Sequence, residues 1–396
     1  MARKILHLDL DAFFCAVEEK FNPSLKGKAF ATGGSPEGRG VVSSCSYAAR
    51  QFGIHSAMPM SQALRKYPGL IIVRGHYQTY STESNKVMKI IRELTPMVEQ
   101  ISIDEAFLDV SDLPESAEQI ASNLQMKIYA ELRLPCSIGV ASNKLVAKIA
   151  NNVGKKKKSG NVAPMAITVI EPGQELNFLA PLPIEEMWGV GPKTAAELHS
   201  LGIKTIGDIL SFPPKLLIKR FGSLASDLIR KAQGIDERPV IEVDEIKSVS
   251  NEITFVVDKG KEEELSATLR DLSEKVGKRL RKKHLCGRTI KIKIRWQNFE
   301  THSRQITLSQ PTNQDSVIYH AAKQLFDDFW SSGRKVRLIG VGVSQLSDEF
   351  YQLELFDDAY GKEKELLRAI DELHERFGEK CIQKGIKPPL LKTWKE

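Results

Sequence analysis

Apolar and polar positions change period several times along this 396-residue chain, and each change marks an element. Residues 4–10, KILHLDL, form a short apolar run that predicts a buried strand, and 11–20, DAFFCAVEEK, predict the helix after it. Residues 41–75 are mixed, with a helix-like SYAARQF and a break at Met58–Met60. Residues 76–94 read as one long helix. Residues 98–110, VEQISIDEAFLDV, read as two short strands around an acidic turn. A helix near 115–132, a strand at 135–141 and a helix at 143–152 complete a β-α-β-β-α-β order. That order predicts an α+β domain whose sheet is covered by helices on one face.

The lysine run Lys155–Lys158, flanked by Gly154 and Gly160, reads as a surface loop. From 168 to 232 short helices alternate with Gly and Pro. Residues 233–246 read as a linker carrying Gly234, Pro239 and the acids Asp236, Glu237, Glu242 and Asp244. A second α+β region spans 247–346. Its strands are expected at 249–257, 288–297, 303–309 and 336–344, and its helices at 261–283 and 313–330. In the tail, 347–396, an amphipathic helix is expected at about 361–380, with Leu366, Ile370, Leu373 and Phe377 on one face.

Composition narrows the class. Hydrophobic residues at 41% and charged residues at 27% fit a folded globular chain rather than a disordered one. No apolar run approaches the roughly 18 residues of a spanning helix. An acid inside the apolar stretch of MARKILHLDLD argues against a signal peptide, so a cytoplasmic protein with no membrane partner is expected. The five cysteines show no CxxC spacing and the histidines no HExxH, so any metal should be a hard cation held by carboxylates.

Lys plus Arg outnumber Asp plus Glu by 57 to 50, and the excess is local. Between 276 and 310 there are ten basic residues and one acid, Glu300, a balance of +9 against +7 for the whole chain. Lys291, Lys293 and Arg295 alternate along one strand and so project from one face, which suits nucleic-acid phosphates. The G-V-G-P turn at Gly189–Pro192 opens a helix. Gly189 and Gly191 permit close backbone approach to a phosphate, although a plain helix–helix turn has the same pattern.

Asp9 and Asp11 lie at the end of the first strand, and Asp104 and Glu105 at the hairpin turn. Acids in apolar surroundings are costly unless a cation or metal compensates them. Carboxylates on adjacent strand ends can hold the two Mg²⁺ ions of in-line phosphoryl transfer; the alternative is solvated turn residues.

The strings DLDAFFCAVEEKFNPSLKGK, SSCSYAARQFGIHSAMPMSQA, ISIDEAFLDV and CSIGVASNKLVAKIA closely resemble the Y-family translesion DNA polymerases, of the DinB type, over residues 3–346. The resemblance implies a right-hand polymerase of α+β class. The ferredoxin-like palm would span 1–19 and 76–167, small fingers 20–75, a helical thumb with a helix-hairpin-helix 168–232, a linker 233–246, an α+β little finger 247–346, and a tail 347–396. It implies low-fidelity, template-directed extension of a primer past damaged bases, with primer-template DNA and deoxynucleoside triphosphates as partners. Asp9, Asp104, Glu105 and the Leu10 carbonyl would hold two Mg²⁺ ions, and Asp11 would be structural. Tyr47 and Arg50 would hold the triphosphate. The family's further lysine falls in KIANNVGKKKKSG, where counting from the left selects Lys155 and counting back from Gly160 selects Lys157. Phe14 would be the sugar gate and Phe13 a core residue. The small residues Ser44, Cys45 and Ala57 would leave room over the templating base.

Gln352, Leu353, Leu355 and Phe356, in QLELF, resemble the peptide that binds the bacterial sliding clamp. The enzyme itself is expected to be a monomer. Two competing classes are a different two-metal palm enzyme, such as a nucleotidyl cyclase, and a catalytically dead DNA-binding scaffold.

Overall fold

The computed structural model describes residues 3–158, 160–242, 245–348, 358–378 and 381–382, with backbone alone for 358–364. The chain divides into two compact units, Met1–Asp244 and Glu245–Glu396.

In the first unit β1 (Ile5–Leu10) leads into α1 (Phe13–Phe21). A small subdomain follows: β2 (Phe30–Gly33), β3 (Val42–Cys45), α2 (Tyr47–Arg50), α3 (Met60–Lys66) and β4 (Ile71–Arg74). The main sheet resumes through α4 (Tyr77–Leu94), β5 (Val98–Gln100), β6 (Glu105–Asp109), α5 (Ala117–Leu132), β7 (Cys136–Ala141), α6 (Lys144–Lys157) and β8 (Ile167–Val169). Five short helices end the unit: α7 (Glu175–Leu179), α8 (Pro192–Ser200), α9 (Asp208–Ser211), α10 (Pro214–Phe221) and α11 (Ser223–Ala232). The main sheet runs β5-β6-β1-β7-β8, and the subdomain sheet β3-β2-β4.

β1 lies at the centre of the main sheet, antiparallel to β6 and β7, and its alternation sorts its side chains between two layers. Leu6, Leu8 and Leu10 pack with Val87, Ile91 and Ile120 of the helices α4 and α5. Ile5 faces the other way, into a core with Leu145, Ile149 and Val153 of α6 that continues into the five short helices. Both faces are therefore covered, not one. The reason is Gly139 in β7: a Cβ there would fall 2.0 Å from the Ala147 carbonyl, so α6 lies closer to the sheet than any side chain allows.

Two further expectations change. The lysine run is not a loop: α6 continues through Lys157, about a turn and a half beyond the expected end at 152. The segment expected as a linker is anchored up to its last residues. Asn143 Nδ2 donates to the Gly234 carbonyl (2.9 Å), the Leu145 amide to Asp236 (3.1 Å), and the Ile241 amide to Glu99 (3.1 Å).

In the second unit β9 (Ser248–Lys259), α12 (Glu262–Lys282), β10 (Leu285–Trp296), β11 (Thr301–Thr312), α13 (Asp315–Asp327) and β12 (Val336–Asp348) form an antiparallel sheet, β11-β10-β12-β9. Ile290, Ile292, Ile294 and Trp296 of β10 pack against Leu269, Val276 and Ile318 of its two helices. The last described helix, α14 (Asp358–Phe377), buries Leu367, while Leu366, Leu373 and Phe377 of the expected apolar face are exposed.

Candidate active site

The site grows out of the register of β1. Asp9 pairs across the ladder with Glu105, the first residue of β6, and with Ser137 of β7. Asp104 immediately precedes β6, and its carbonyl accepts from the Leu10 amide at 2.9 Å. Asp9, Asp104 and Glu105 thus stand at one end of two neighbouring strands. The chain then turns through Ala12, at φ 45°, a left-handed conformation rare for a residue with a Cβ. Asp11 points inward and is buried. It accepts from Ser137 Oγ (2.9 and 3.0 Å) and the Met165 amide (3.1 Å), which fits a structural role.

Each carboxylate has a different environment. Lys155 Nζ bonds to Asp9 Oδ1 at 2.6 Å and lies 3.2 Å from Asp11 Oδ1. Burial disfavours the Lys155 charge, but Asp9 and Asp11 more than offset it, so its pKa rises and the ammonium persists. Burial raises the pKa of the Asp104 carboxyl, and the charges of Asp9 and Glu105 raise it further, against the hydrogen bond from Ser102 Oγ at 2.5 Å. Glu105 Oε2 lies 3.1 Å from His7 Nε2 and bonds to Lys148 Nζ; these contacts pull its pKa down to about 2 despite partial burial. The helical path of α6 separates the two candidate lysines: Lys155 reaches the carboxylates, whereas Lys157, two residues on and about 200° around the helix, is exposed.

Beside the acids, buried Tyr47 places its hydroxyl 3.5 Å from Asp11, and the Arg50 guanidinium lies 4.4 Å from the Tyr47 ring centre. Arg50 is exposed at the end of α2, with a planar fork suited to phosphate oxygens. Phe13 is core. Phe14 stacks on Tyr80, with centroids 4.3 Å apart and an interplanar angle of 11°, and meets Tyr77 at 5.7 Å. Cys45 is not in an open space over a base. It is fully buried in the subdomain core, with Sγ on the Ile54 carbonyl, because the small sheet needs it as packing; Ser44 is buried too.

The donor set is oxygen-only, which suits a hard divalent cation. Among the described residues no three His, Cys, Asp or Glu side chains converge closely enough to hold an ion as they stand. Glu105 is turned to Lys148 and His7, and Asp9 to Lys155. A positive charge nonetheless already sits on Asp9 and Asp11, in the form of the Lys155 ammonium. Carboxylates of this chemistry, with a cation drawn onto them, fit a divalent metal.

Sequence reasoning missed the polar stripe that α6 turns to the sheet. Lys144, Lys148, Asn151 and Lys155 recur at steps of four, three and four, one face of a helix. They meet Glu99 (2.7 Å), Glu105, His7 Nδ1 (3.0 Å) and Asp9 in turn. The spacing was there to be found, but a polar stripe on a helix ordinarily marks its solvent face.

The expected DNA-facing groups divide. Gly189 has φ 99°, which a side chain would strain, whereas a Cβ at Gly191, the cap of α8, would meet open space. Lys291, Lys293 and Arg295 do share the open face of β10, where Lys293 pairs with Glu252 at 2.8 Å and Arg295 bonds to Thr301 at 2.7 Å. Arg281, counted in the basic cluster, is largely taken up by Asp315 (2.8 Å) and Asp371 of α14 (2.6 Å). Gln352, Leu353, Leu355 and Phe356 lie outside the described residues.

Three family models match the chain: the impB/mucB/samB family over residues 8–152, its helix-hairpin-helix motif over 172–203, and its C-terminal domain over 246–355. A DNA polymerase IV of Dehalococcoides mccartyi is 40% identical over 387 residues, covering 97% of both chains. A DNA polymerase IV of Streptococcus agalactiae is 40% identical over 354 residues, covering 88% of this chain and 95% of its own. Among solved structures, a Y-family DNA polymerase chimera of Dbh and Dpo4 superposes with a TM-score of 0.76 at 27% identity. An insertion ternary complex of Dbh DNA polymerase gives 0.62, also at 27% identity. Each of the two structures covers 86% of this chain and 98% of its own.

Proposed function

This chain belongs to the Y-family DNA polymerases, the impB/mucB/samB family, and from that premise we propose how its own residues divide the work of translesion synthesis. It is a DNA-directed DNA polymerase with a right-hand α+β fold that binds DNA and deoxynucleotides and depends on a divalent metal. The proposal lies in the finer assignments. The observation that carries them is the set of three carboxylates at the ends of β1 and β6, with a protonated lysine bonded to Asp9.

Asp9, Asp104, Glu105 and the Leu10 carbonyl are the groups that would hold two Mg²⁺ ions. When bound, such ions lower the pKa of a primer 3′-hydroxyl and offset triphosphate charge. Asp11 keeps β1 in register with β7 through Ser137. Arg50 and Lys155 are fixed cations for the triphosphate oxygens, with Tyr47 backing Arg50. Phe14, backed by Tyr80, is the surface on which a deoxyribose packs and against which a 2′-hydroxyl collides.

The main sheet with α4–α6 serves as the palm (1–19 and 76–167), the subdomain as the fingers (20–75) and the short helices as the thumb (168–232). Gly189 and Gly191 bring backbone amides to DNA phosphates. The β10 face with Lys291, Lys293 and Arg295 does the same in the little finger (247–346). The segment with Gln352, Leu353, Leu355 and Phe356 is proposed as the contact for the bacterial sliding clamp. The enzyme acts as a monomer in the bacterial cytoplasm; no described helix is long and apolar enough to cross a membrane.

Primer extension on four templates differing in one base tests this reading. The expected product is the complementary nucleotide added to primed DNA, with continued extension past a minor-groove guanine adduct. Nucleotide consumption without primer would indicate cyclase-like chemistry instead.

A further inference from the structure

Glu105 stands out because a residue read as a metal ligand is already engaged. Its Oε2 bonds to Lys148 Nζ and lies 3.1 Å from His7 Nε2. His7 is fully buried and is fixed in turn by Asn151, whose Nδ2 reaches His7 Nδ1 at 3.0 Å, the His7 carbonyl at 3.1 Å and the Ser137 carbonyl at 3.1 Å. Lys148 is held from its other side: its ammonium lies 5.6 Å from the ring centre of Trp188, the residue just before the G-V-G-P turn. The Trp188 ring packs on Phe107 of β6 at 5.6 Å and carries Arg238 at 4.7 Å. Lys148 is mostly buried, with 16% of its side chain exposed, so its charge has few alternatives to Glu105.

We propose that Lys148 is a positioning residue for Glu105: its ammonium holds this carboxylate turned from the cation site until a divalent ion competes for it. The inference rests on the reading of Asp9, Asp104 and Glu105 as the metal-holding set. Lys155 stands differently. Its ammonium contacts Asp9 and Asp11 rather than Glu105, and in the proposed reaction it turns to the triphosphate. Lys148 has no such second duty, because Trp188 closes its other side. The consequence is a threshold. Metal binding through Glu105 must break its ion pair with Lys148, in addition to displacing Lys155 from Asp9, so the unliganded enzyme binds divalent ions more weakly than its carboxylates alone would.

The test is Mn²⁺ binding to the full chain, without DNA or nucleotide, followed by loss of the free-ion electron paramagnetic resonance signal. Lys148→Met should bind Mn²⁺ about two- to five-fold more tightly than wild type, the scale of a surface-to-part-buried ion pair given up. Lys148→Arg, which keeps the charge, should stay near wild type. In a Glu105→Gln background Lys148→Met should change nothing. If Lys148→Met fails to fold, as judged by thermal unfolding, Lys148→Gln is read in its place. Unchanged binding in both charge-removing variants overturns the proposal. So does equal tightening with and without Glu105, which would make the lysine a plain nearby charge. Asp104→Asn separates the premise: binding indifferent to Asp104 removes the metal set itself, whereas weakened binding there with no effect at Lys148 removes only the positioning role.

Discussion

Phe14 and Lys155 are the two residues on which the chemistry of substrate choice is most exposed to experiment. Phe14, the proposed sugar gate, is pinned by the Tyr80 ring stacked behind it and cannot move without leaving that stack. Phe14→Ala is expected to raise ribonucleotide incorporation by about tenfold or more, a barrier change of roughly 1.4 kcal/mol. Deoxynucleotide addition should be largely retained, and competitive primer extension with both sugars checks it. Lys155 is protonated and faces the carboxylates, so Lys155→Ala should raise KM for the incoming nucleotide by about tenfold, the worth of one charge-assisted hydrogen bond. Lys157→Ala should leave KM near wild type, and steady-state kinetics on both variants separates the two lysines. That Asp9, Asp104 and Glu105 meet at strand ends was legible in the sequence because acids in apolar runs are rare, whereas the metal-holding role proposed for them came from the family resemblance. The choice between Lys155 and Lys157 was not, because the run is out of step with its family pattern and only the helical path of α6 orders it.

At the scale of elements, α6 is the organising piece. Asn143 caps its first turn through the Val146 amide at 3.0 Å and also tethers Gly234, while Asp236 accepts from Leu145 and takes a two-point contact from Arg238 at 2.7 and 2.9 Å. Burial disfavours the Asp236 charge, but Arg238 and the amides outweigh it, so its pKa is lowered in the folded chain. A carboxylate with a depressed folded pKa contributes stability above its unfolded value, near 4, and loses it as pH falls through the folded value. Asp236→Asn should therefore cost about 1–3 kcal/mol at neutral pH, with the difference from wild type shrinking in acid. Urea unfolding of the two proteins at neutral and acid pH measures both. The strands and helices were largely readable from period alone. The layer arrangement was not, since it depends on Gly139 and a helix lying against the sheet at backbone distance, and a hydrophobic pattern does not record the absence of a Cβ.

For the whole molecule, the two units were separable in the sequence by the acidic stretch at 233–246, although its first half is bound to α6 and the unit boundary falls at 244/245. The basic excess at 276–310 was readable as charge but not as surface: Arg281 spends its charge on Asp315 and Asp371, leaving the β10 face as the phosphate-binding candidate. The QLELF segment belongs to this scale because a tether acts through effective concentration rather than faster chemistry. Replacing Leu355 and Phe356 with Ala should remove clamp-stimulated product length while single-nucleotide addition without clamp is unchanged. Equal stimulation in both proteins would exclude the segment as the contact. Whether the strand-end carboxylates carry primer extension is measured by single-turnover extension with Asp104→Asn beside a DNA-binding titration of the same protein. Extension should be abolished with DNA affinity kept; extension at the wild-type rate would show that these carboxylates are not the metal-holding set.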